Sequence, residues 1–331
     1  MTTPLVIGLS AVVAAMREGE LLALTVRPED VRTHQQSSLP GLPSGPFEPE
    51  EHRTFELALR AFVTEQTGFE LGFVEQLYTF GDKGRDAPLP DLGASEADPA
   101  ARVISIGYLA LTPEADSAPT PATAWSPWTR FFPWEDWRGG RPAVIDAVIA
   151  PRLKSWCDAG LGRAATVRNL FALDGAPWNE ERVLDRYELL YEAGLAAEAA
   201  RDRARARSFD TPEPADFQMA LGQPMVSDHR RILATGLGRL RGKLKYRPIV
   251  FELMPESFTL YDLQRAVEAI SGIRLHKQNF RRMVERTGLV EGLGRFRSET
   301  GGRPAELFRY RRESAGSPSA IGFSLPGLRE G

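Results

Sequence analysis

Thr259-Leu-Tyr-Asp-Leu-Gln-Arg-Ala-Val-Glu-Ala-Ile-Ser-Gly272 and, after a short connection, Lys277-Gln-Asn-Phe-Arg-Arg-Met-Val-Glu-Arg-Thr-Gly288 decide how the end of this chain folds. Thr259 is a good N-cap, and Asp262 three residues on can return the bond, so a helix starts here. Leu260, Leu263, Val267 and Ile270 then recur at helical spacing until Ser271-Gly272 stops the run. The second segment turns Phe280, Met283 and Val284 inward and ends at Gly288. Its outer face carries Lys277, Gln278, Arg281, Arg282 and Glu285.

Beyond Gly288 the period changes. Leu289 to Gly292 and Ala305 to Tyr310 read as short strands, joined by a stretch with Arg295, Arg297, Gly301, Gly302 and Arg303. Helix, turn, basic helix and a Gly- and Arg-rich hairpin form the pattern of a winged helix-turn-helix, whose second helix enters a major groove. Tyr246 to Met254 is expected to be its first helix. Charge agrees: residues 239 to 313 hold 17 Lys and Arg against 9 Asp and Glu, a formal +8, while the rest of the chain is −11. Only the basic part suits phosphate. Gln278, Asn279, Arg281 and Arg282 are the candidates for base edges, because Arg pairs bidentately with guanine and Asn or Gln with adenine. Asn279 follows Gln278 around the helix towards its inner face. Lys277, Arg286, Arg295, Arg297 and Arg303 are better placed for phosphates. The plainer alternative is a small helical subdomain with a solvated basic face.

The whole chain bounds the rest. Its 331 residues suit two or three domains, and 42% hydrophobic with 26% charged residues is ordinary for a globular protein. No apolar run approaches the roughly 18 residues of a membrane helix. The amino terminus lacks the basic flank of a signal peptide, so a cytoplasmic protein with no membrane partner is expected. A lone cysteine, Cys157, forms no internal disulfide, and four scattered histidines lack metal-ligand spacing, so no metal site is expected.

From the start, Leu5 to Met16 and Leu21 to Val26 read as strands split by a hairpin turn at Arg17-Glu-Gly-Glu20. Glu50 to Thr67 reads as an amphipathic helix with Phe55, Leu59, Phe62 and Val63 inward and Gly68 as its stop. Phe69 to Phe80 and Val103 to Leu111 are strand-like, Asp82 to Ala101 and Ala115 to Thr129 read as loops, and Pro142 to Ala159 as a helix. Glu180 to Arg207 reads as one long helix with an exposed end. Asp210 to Pro214 reads as a linker, and Asp228 opens a helix reaching about Leu240. Asp228 beside His229 reads as an N-cap with an exposed polar neighbour, since no nucleophile accompanies the pair.

Here the sequence resembles the Nudix family over roughly residues 4 to 160. Leu42-Pro43-Ser44-Gly45 matches the approach to that family's box, and Ala61-Phe62-Val63-Thr64-Glu65-Gln66-Thr67-Gly68-Phe69 occupies the box itself. The family's hydrolases hold Mg²⁺ with carboxylates on one helix face, but those places hold Phe62, Glu65 and Gln66 here. Arg60 sits one place before the family's arginine. Hydrolysis is therefore expected to be lost, with Glu65 ordering the loop by accepting backbone N–H bonds, and no catalytic residue is assigned.

Joined to a winged helix, such a domain looks like the Nudix-related regulators of NAD biosynthesis. Thr79-Phe-Gly-Asp82, Arg85-Asp86, the run Arg102 to Leu111 and Gly301-Gly-Arg-Pro-Ala-Glu-Leu-Phe-Arg309 carry that likeness. The resemblance implies a homodimer that binds an operator in double-stranded DNA and senses ADP-ribose or an NAD-related nucleotide as effector, with no required cofactor. It places effector-binding candidates at Ser44, Gly45, Phe47, Glu65, Arg85, Asp86 and Arg102. Trp134 joins them from the segment 125–178, which holds all six tryptophans; a core or interdomain seam is the favoured alternative for that segment.

The expected fold is thus an α/β Nudix-like sandwich domain plus an α+β winged helix-turn-helix domain, joined by helices. The parts are residues 1–160 (effector binding), 161–238 (helical linker and dimerisation), 239–313 (DNA binding) and 314–331 (tail). A Nudix-type ADP-ribose or NAD pyrophosphohydrolase with an accessory winged helix is the competing reading.

Overall fold

The computed structural model describes residues 5–27, 29–30, 35–36, 39–82, 85, 102–113, 122–207, 209, 214–298 and 304–311. Asp86, Arg303, the 314–331 tail and most of the expected 82–101 loop and 210–214 linker lie outside them.

A mixed sheet forms the front half. Strand β1 (Leu5–Arg17) turns at Glu18 and Gly19, both at positive φ, into β2 (Glu20–Val26), as a two-residue hairpin of this hand requires. After the short pair β3 (Glu29–Asp30) and β4 (Gln35–Gln36), β5 (Ser44–Pro46) joins the first half of β1. Helix α1 (Phe55–Thr67), β6 (Phe73–Phe80), β7 (Arg102–Thr112) and β8 (Thr123–Pro127) follow. The order across the sheet is β6-β7-β1-β2-β8, with β7 parallel to β1 and the other pairs antiparallel.

Two expectations fail here for local reasons. Helix α1 begins at Phe55 rather than Glu50, because the Thr54 hydroxyl caps it by accepting from Leu57 N at 3.2 Å. Residues 123–127 form an edge strand rather than a loop. The prolines lie mostly before it, and Pro127 falls at its end, where a missing N–H costs little.

Both faces of the sheet are covered, so β1 is buried continuously from Gly8 to Ala15. Leu9, Ala11, Val13 and Ala15 pack with Ala58, Leu59 and Val63 of α1. Val12 and Ala14 face the other way, into a larger core. That core is built by α2 (Ala150–Asp158, preceded by a π-turn at Ile145–Ile149), α3 (Ala164–Leu170), α4 (Val183–Glu192), α5 (Ala197–Ala206), α6 (Asp216–Ala220) and α7 (His229–Tyr246). Helix α7 lies against the sheet so closely that a Cβ at Gly236 would come within 2.9 Å of Val12.

The single helix expected over 180–207 is two, broken at Gly194 (φ 73°). Its second half is not exposed: Glu198 accepts from Met225 N at 3.0 Å, and Arg201 donates to Met225 O and Ser227 O. The tryptophans take the burial reading, with Trp125, Trp128, Trp134 and Trp178 all under 9% exposed.

Asp228 and His229 are buried, not exposed, and Asp228 makes no side-chain cap bond. His229 Nδ1 instead accepts from Leu42 N at 2.9 Å, tying α7 to the approach to the α1 loop. Burial, then the nearby Arg201 guanidinium, push the imidazole down to about 4, so it is neutral in the fold. The unfolded imidazole takes a proton first, so stability falls as pH drops from about 6.5 towards 4. His229→Gln, which keeps an acceptor for Leu42 N, is expected to remove about 2 kcal/mol of the stability difference between pH 7 and 5. Urea midpoints at the two pH values check this.

The last part is a second small fold. Strand β9 (Phe258–Thr259) leads into α8 (Leu260–Ser271), then α9 (Lys277–Thr287), β10 (Val290–Arg297) and β11 (Ala305–Tyr310), with strand order β10-β11-β9. The capping box is present: Thr259 N donates to Asp262 Oδ2 at 2.9 Å and Asp262 N to Thr259 Oγ1 at 3.1 Å. Gly272 and Gly288 end their helices in the left-handed conformation. The expected first helix is only a 3-10 turn, Ile249–Leu253, because Pro248 forces Arg247 extended and ends α7. Among the described residues no helix is long and apolar enough to cross a membrane.

Candidate nucleic-acid interface and effector site

Phe280 and Val284 seat α9 beside Leu263, Val267 and Ile270 of α8, in a buried cluster continuous with the larger core, at 2% and 1% exposure. The turn before it is stitched by α8, where Gln264 Nε2 donates to Leu275 O at 3.0 Å and Glu268 accepts from Leu275 N at 2.8 Å. With that face fixed, Lys277, Gln278, Asn279, Arg281, Arg282 and Arg286 are all exposed. Asn279 therefore stays on the outer face. Arg281 and Arg282 make no ion pair among the described residues, so their charge is available to a partner.

In the wing, Arg295 is exposed, but Arg297 is not a free phosphate ligand. It forks onto Asp262 at 2.8 and 3.1 Å, pinning the wing to the first turn of α8. Arg309 and Arg311 both pair with Glu291. A register shift between Gly292 and Phe296 bends β10, with Gly294 at φ 61°.

The effector candidates fall into three groups. Ser44 and Gly45 lie on β5 against α1, where Gln66 bridges Ser44 in both directions: Ser44 N donates to Oε1 at 3.1 Å and Nε2 donates to Ser44 O at 2.6 Å. The amide at position 66, not Glu65, orders the loop; Glu65 is exposed. A Cβ on Gly45 would meet the Phe62 ring at 2.8 Å, so the apolar side chain in a box position is packing. Phe47 stacks edge-on to Phe55 at 4.5 Å. Arg60 is spent on the Glu56 carboxylate and the carbonyls of Leu71 and Gly72, and Glu51 is exposed.

Arg85 is a second locus. It pairs with Glu188 at 2.7 Å and Asp228 at 3.6 Å and covers the Tyr191 ring at 3.7 Å, while Arg102 donates to Gly81 O at 2.7 Å. Trp134 is corrected: at 1% exposure beside Phe132 and Tyr187 it is core and cannot stack a ligand from solvent.

Sequence reasoning missed Glu135. It is fully buried, forked by Arg186 (2.6 and 2.9 Å) and also bonded by Arg241 at 2.5 Å. Burial alone would raise its carboxyl; the two guanidinium groups outweigh that and hold it below the usual range. Arg241 goes on to donate to Ile270 O at 2.8 Å, and Trp137 N donates to Gly272 O at 2.7 Å, so the end of α8 is moored to the larger core.

The family model of the NrtR DNA-binding winged helix domain matches residues 250–310. These residues are similar to that domain and have the fold of a winged helix. The ADPR-responsive transcriptional repressor NtrR of Acinetobacter baylyi is 37% identical over 94 residues, covering 28% of this chain. The match spans little more than a third of that relative, 37% of its length. Outside residues 250–310 the likeness is one of fold. Shewanella oneidensis NrtR, solved in complex with a 27mer DNA, superposes over 98% of this chain and 99% of its own, with TM-score 0.56 and 19% identity. A MutT/nudix family protein from Enterococcus faecalis superposes over 94% of this chain and 88% of its own, with TM-score 0.50 and 14% identity. The architecture is a Nudix-like sandwich followed by a winged helix.

Proposed function

We propose that this chain is a DNA-binding transcriptional repressor whose Nudix-like domain senses a nucleotide, with ADP-ribose as first candidate. One observation carries the reading: a row of cationic and amide side chains on α9, held outward by Phe280 and Val284 and unspent on intramolecular ion pairs among the described residues. The A. baylyi relative, named for ADPR response and repression, supports the effector and the sign of control. A cytoplasmic homodimer would set two reading heads on successive major grooves, and NAD biosynthesis genes are the expected targets. Residues 1–160, 161–238 and 239–313 then divide the chain by role rather than by core, since the middle helices finish the core of the first part.

The same reading assigns no hydrolysis. The three box positions hold Phe62, packed on Gly45, Gln66, bonded to Ser44, and a single carboxylate, Glu65. The family's hydrolases gather several carboxylates on one helix face for Mg²⁺, and one carboxylate beside a phenyl ring and an amide leaves that cation fewer anionic oxygens. Incubation with ADP-ribose and Mg²⁺ is expected to release no product. Turnover that Glu65→Gln abolishes would replace the regulator with an enzyme.

Titrating a labelled duplex from upstream of the protein's own gene, with and without ADP-ribose, tests the proposal. Binding above that to a scrambled duplex is expected, shifted by about 5- to 150-fold when the nucleotide is present. No preference over scrambled DNA sinks the DNA reading, and no shift sinks the effector reading.

A further inference from the structure

Resting on that effector reading, we infer that α7 couples the effector site to the reading head, with Arg231 and Arg241 as positioning residues that touch neither nucleotide nor DNA. The helix of 18 residues is about 27 Å long and meets a different charge cluster towards each end. At its start, Arg231 donates to Asp82 Oδ2 at 2.6 Å and to Asp228 at 3.1 Å, and also pairs with Glu188. Asp82 lies just past β6, three residues from Arg85. Further along, Arg241 ties Glu135 to Ile270 O at the end of α8, the helix on which α9 is seated.

The first cluster is built to be shared. Arg85 and Arg231 draw on the same two carboxylates, Glu188 and Asp228. Nη2 of Arg85 is buried and makes no hydrogen bond, while Nε faces Asp228 Oδ1 at 3.6 Å, too long for one. Nη2 is a spare donor suited to the diphosphate of a nucleotide. An anion taken there competes with Glu188 and Asp228 for the Arg85 guanidinium, and both carboxylates then fall to Arg231. The ligand thus binds two arrangements of α7 unequally, which is what a coupling requires. The second cluster, sealed and hydrogen-bonded throughout, carries the displacement of α7 to the end of α8 without slack.

Asp82 is a mild place to cut this line, since its side chain is 54% exposed. Asp82→Asn and Arg231→Gln are expected to bind operator within about twofold of the wild type. Both should lose about tenfold of the ADP-ribose effect, a size within the usual range of coupling. Arg239→Gln, on the same helix but paired with Glu75 of β6, should respond like the wild type. Calorimetry of ADP-ribose on free Asp82→Asn should give an unchanged affinity. The inference is overturned if both variants respond fully, or if Asp82→Asn loses the nucleotide itself, which would make Asp82 a ligand residue. A wild type that ignores ADP-ribose overturns the effector reading from which the inference starts.

Discussion

Glu135→Ala is expected to lower the unfolding free energy by about 3–5 kcal/mol, more than most single substitutions cost. The reason lies in what remains. Arg186 and Arg241 are both within 2% exposure of full burial, and each would keep its charge in a water-free site without a counter-ion. Carbonyls of Asn179, Glu180 and Ile270 would still accept from them, but dipoles do not replace a carboxylate. Glu135→Gln should fall in between, because it keeps an acceptor and loses the charge. The wild-type cluster also has a pH signature. A carboxyl held below its ordinary range stabilises the fold above the unfolded value near 4.5 and loses that contribution as pH falls through the folded one. Urea melts of the three proteins at pH 7 and in mild acid measure all of this; a midpoint for Glu135→Ala equal to wild type would show that the ion cluster does not support the fold.

Arg281→Ala combined with Arg282→Ala is expected to weaken operator binding by about thirtyfold or more. A good bidentate pair with a base carries about 1–3 kcal/mol, and two are removed. Phosphate binding adds a dependence on salt: if six to ten phosphates are neutralised, wild-type affinity should fall by roughly 10³ to 10⁵ between 50 and 200 mM salt. Removing one phosphate ligand from α9 or the wing should flatten the log–log slope by about 0.9. Arg297→Ala should act differently, loosening the wing by breaking the Asp262 fork rather than by removing a phosphate ligand. Because residues 281 and 282 are exposed, the double variant should keep the wild-type thermal midpoint. A flat salt response, or a double variant that binds normally, would remove α9 from the interface.

Much of this was legible in the linear chain because it is local. The α8 capping box, the left-handed stops at Gly272 and Gly288, and the outward side chains of α9 follow from spacings of three and four residues. The β1–β2 turn follows from Gly19, which adopts positive φ freely and carries Glu18 beside it into the left-handed region. Where local signals compete, reading failed: Thr54 displaced the helix start, Gly194 cut a helix whose apolar stripe runs on, and Pro248 reduced a helix to one turn. Glu65 against Gln66 could not be decided from the box, since either side chain can order a loop and only the position of Ser44 chooses.

The amino-acid sequence by itself determined a strand-rich front, a basic winged helix behind it and the outward side chains of α9 proposed to meet DNA, all consequences of periodicity and charge within short windows. Tertiary structure alone decided which charges are spent within the molecule. Arg231 finds Asp82 149 positions away and Arg241 finds Glu135 106 positions away. An arginine bound for solvent and one bound for a buried carboxylate are written with the same letter. Only packing, by removing water from one and not the other, makes them different.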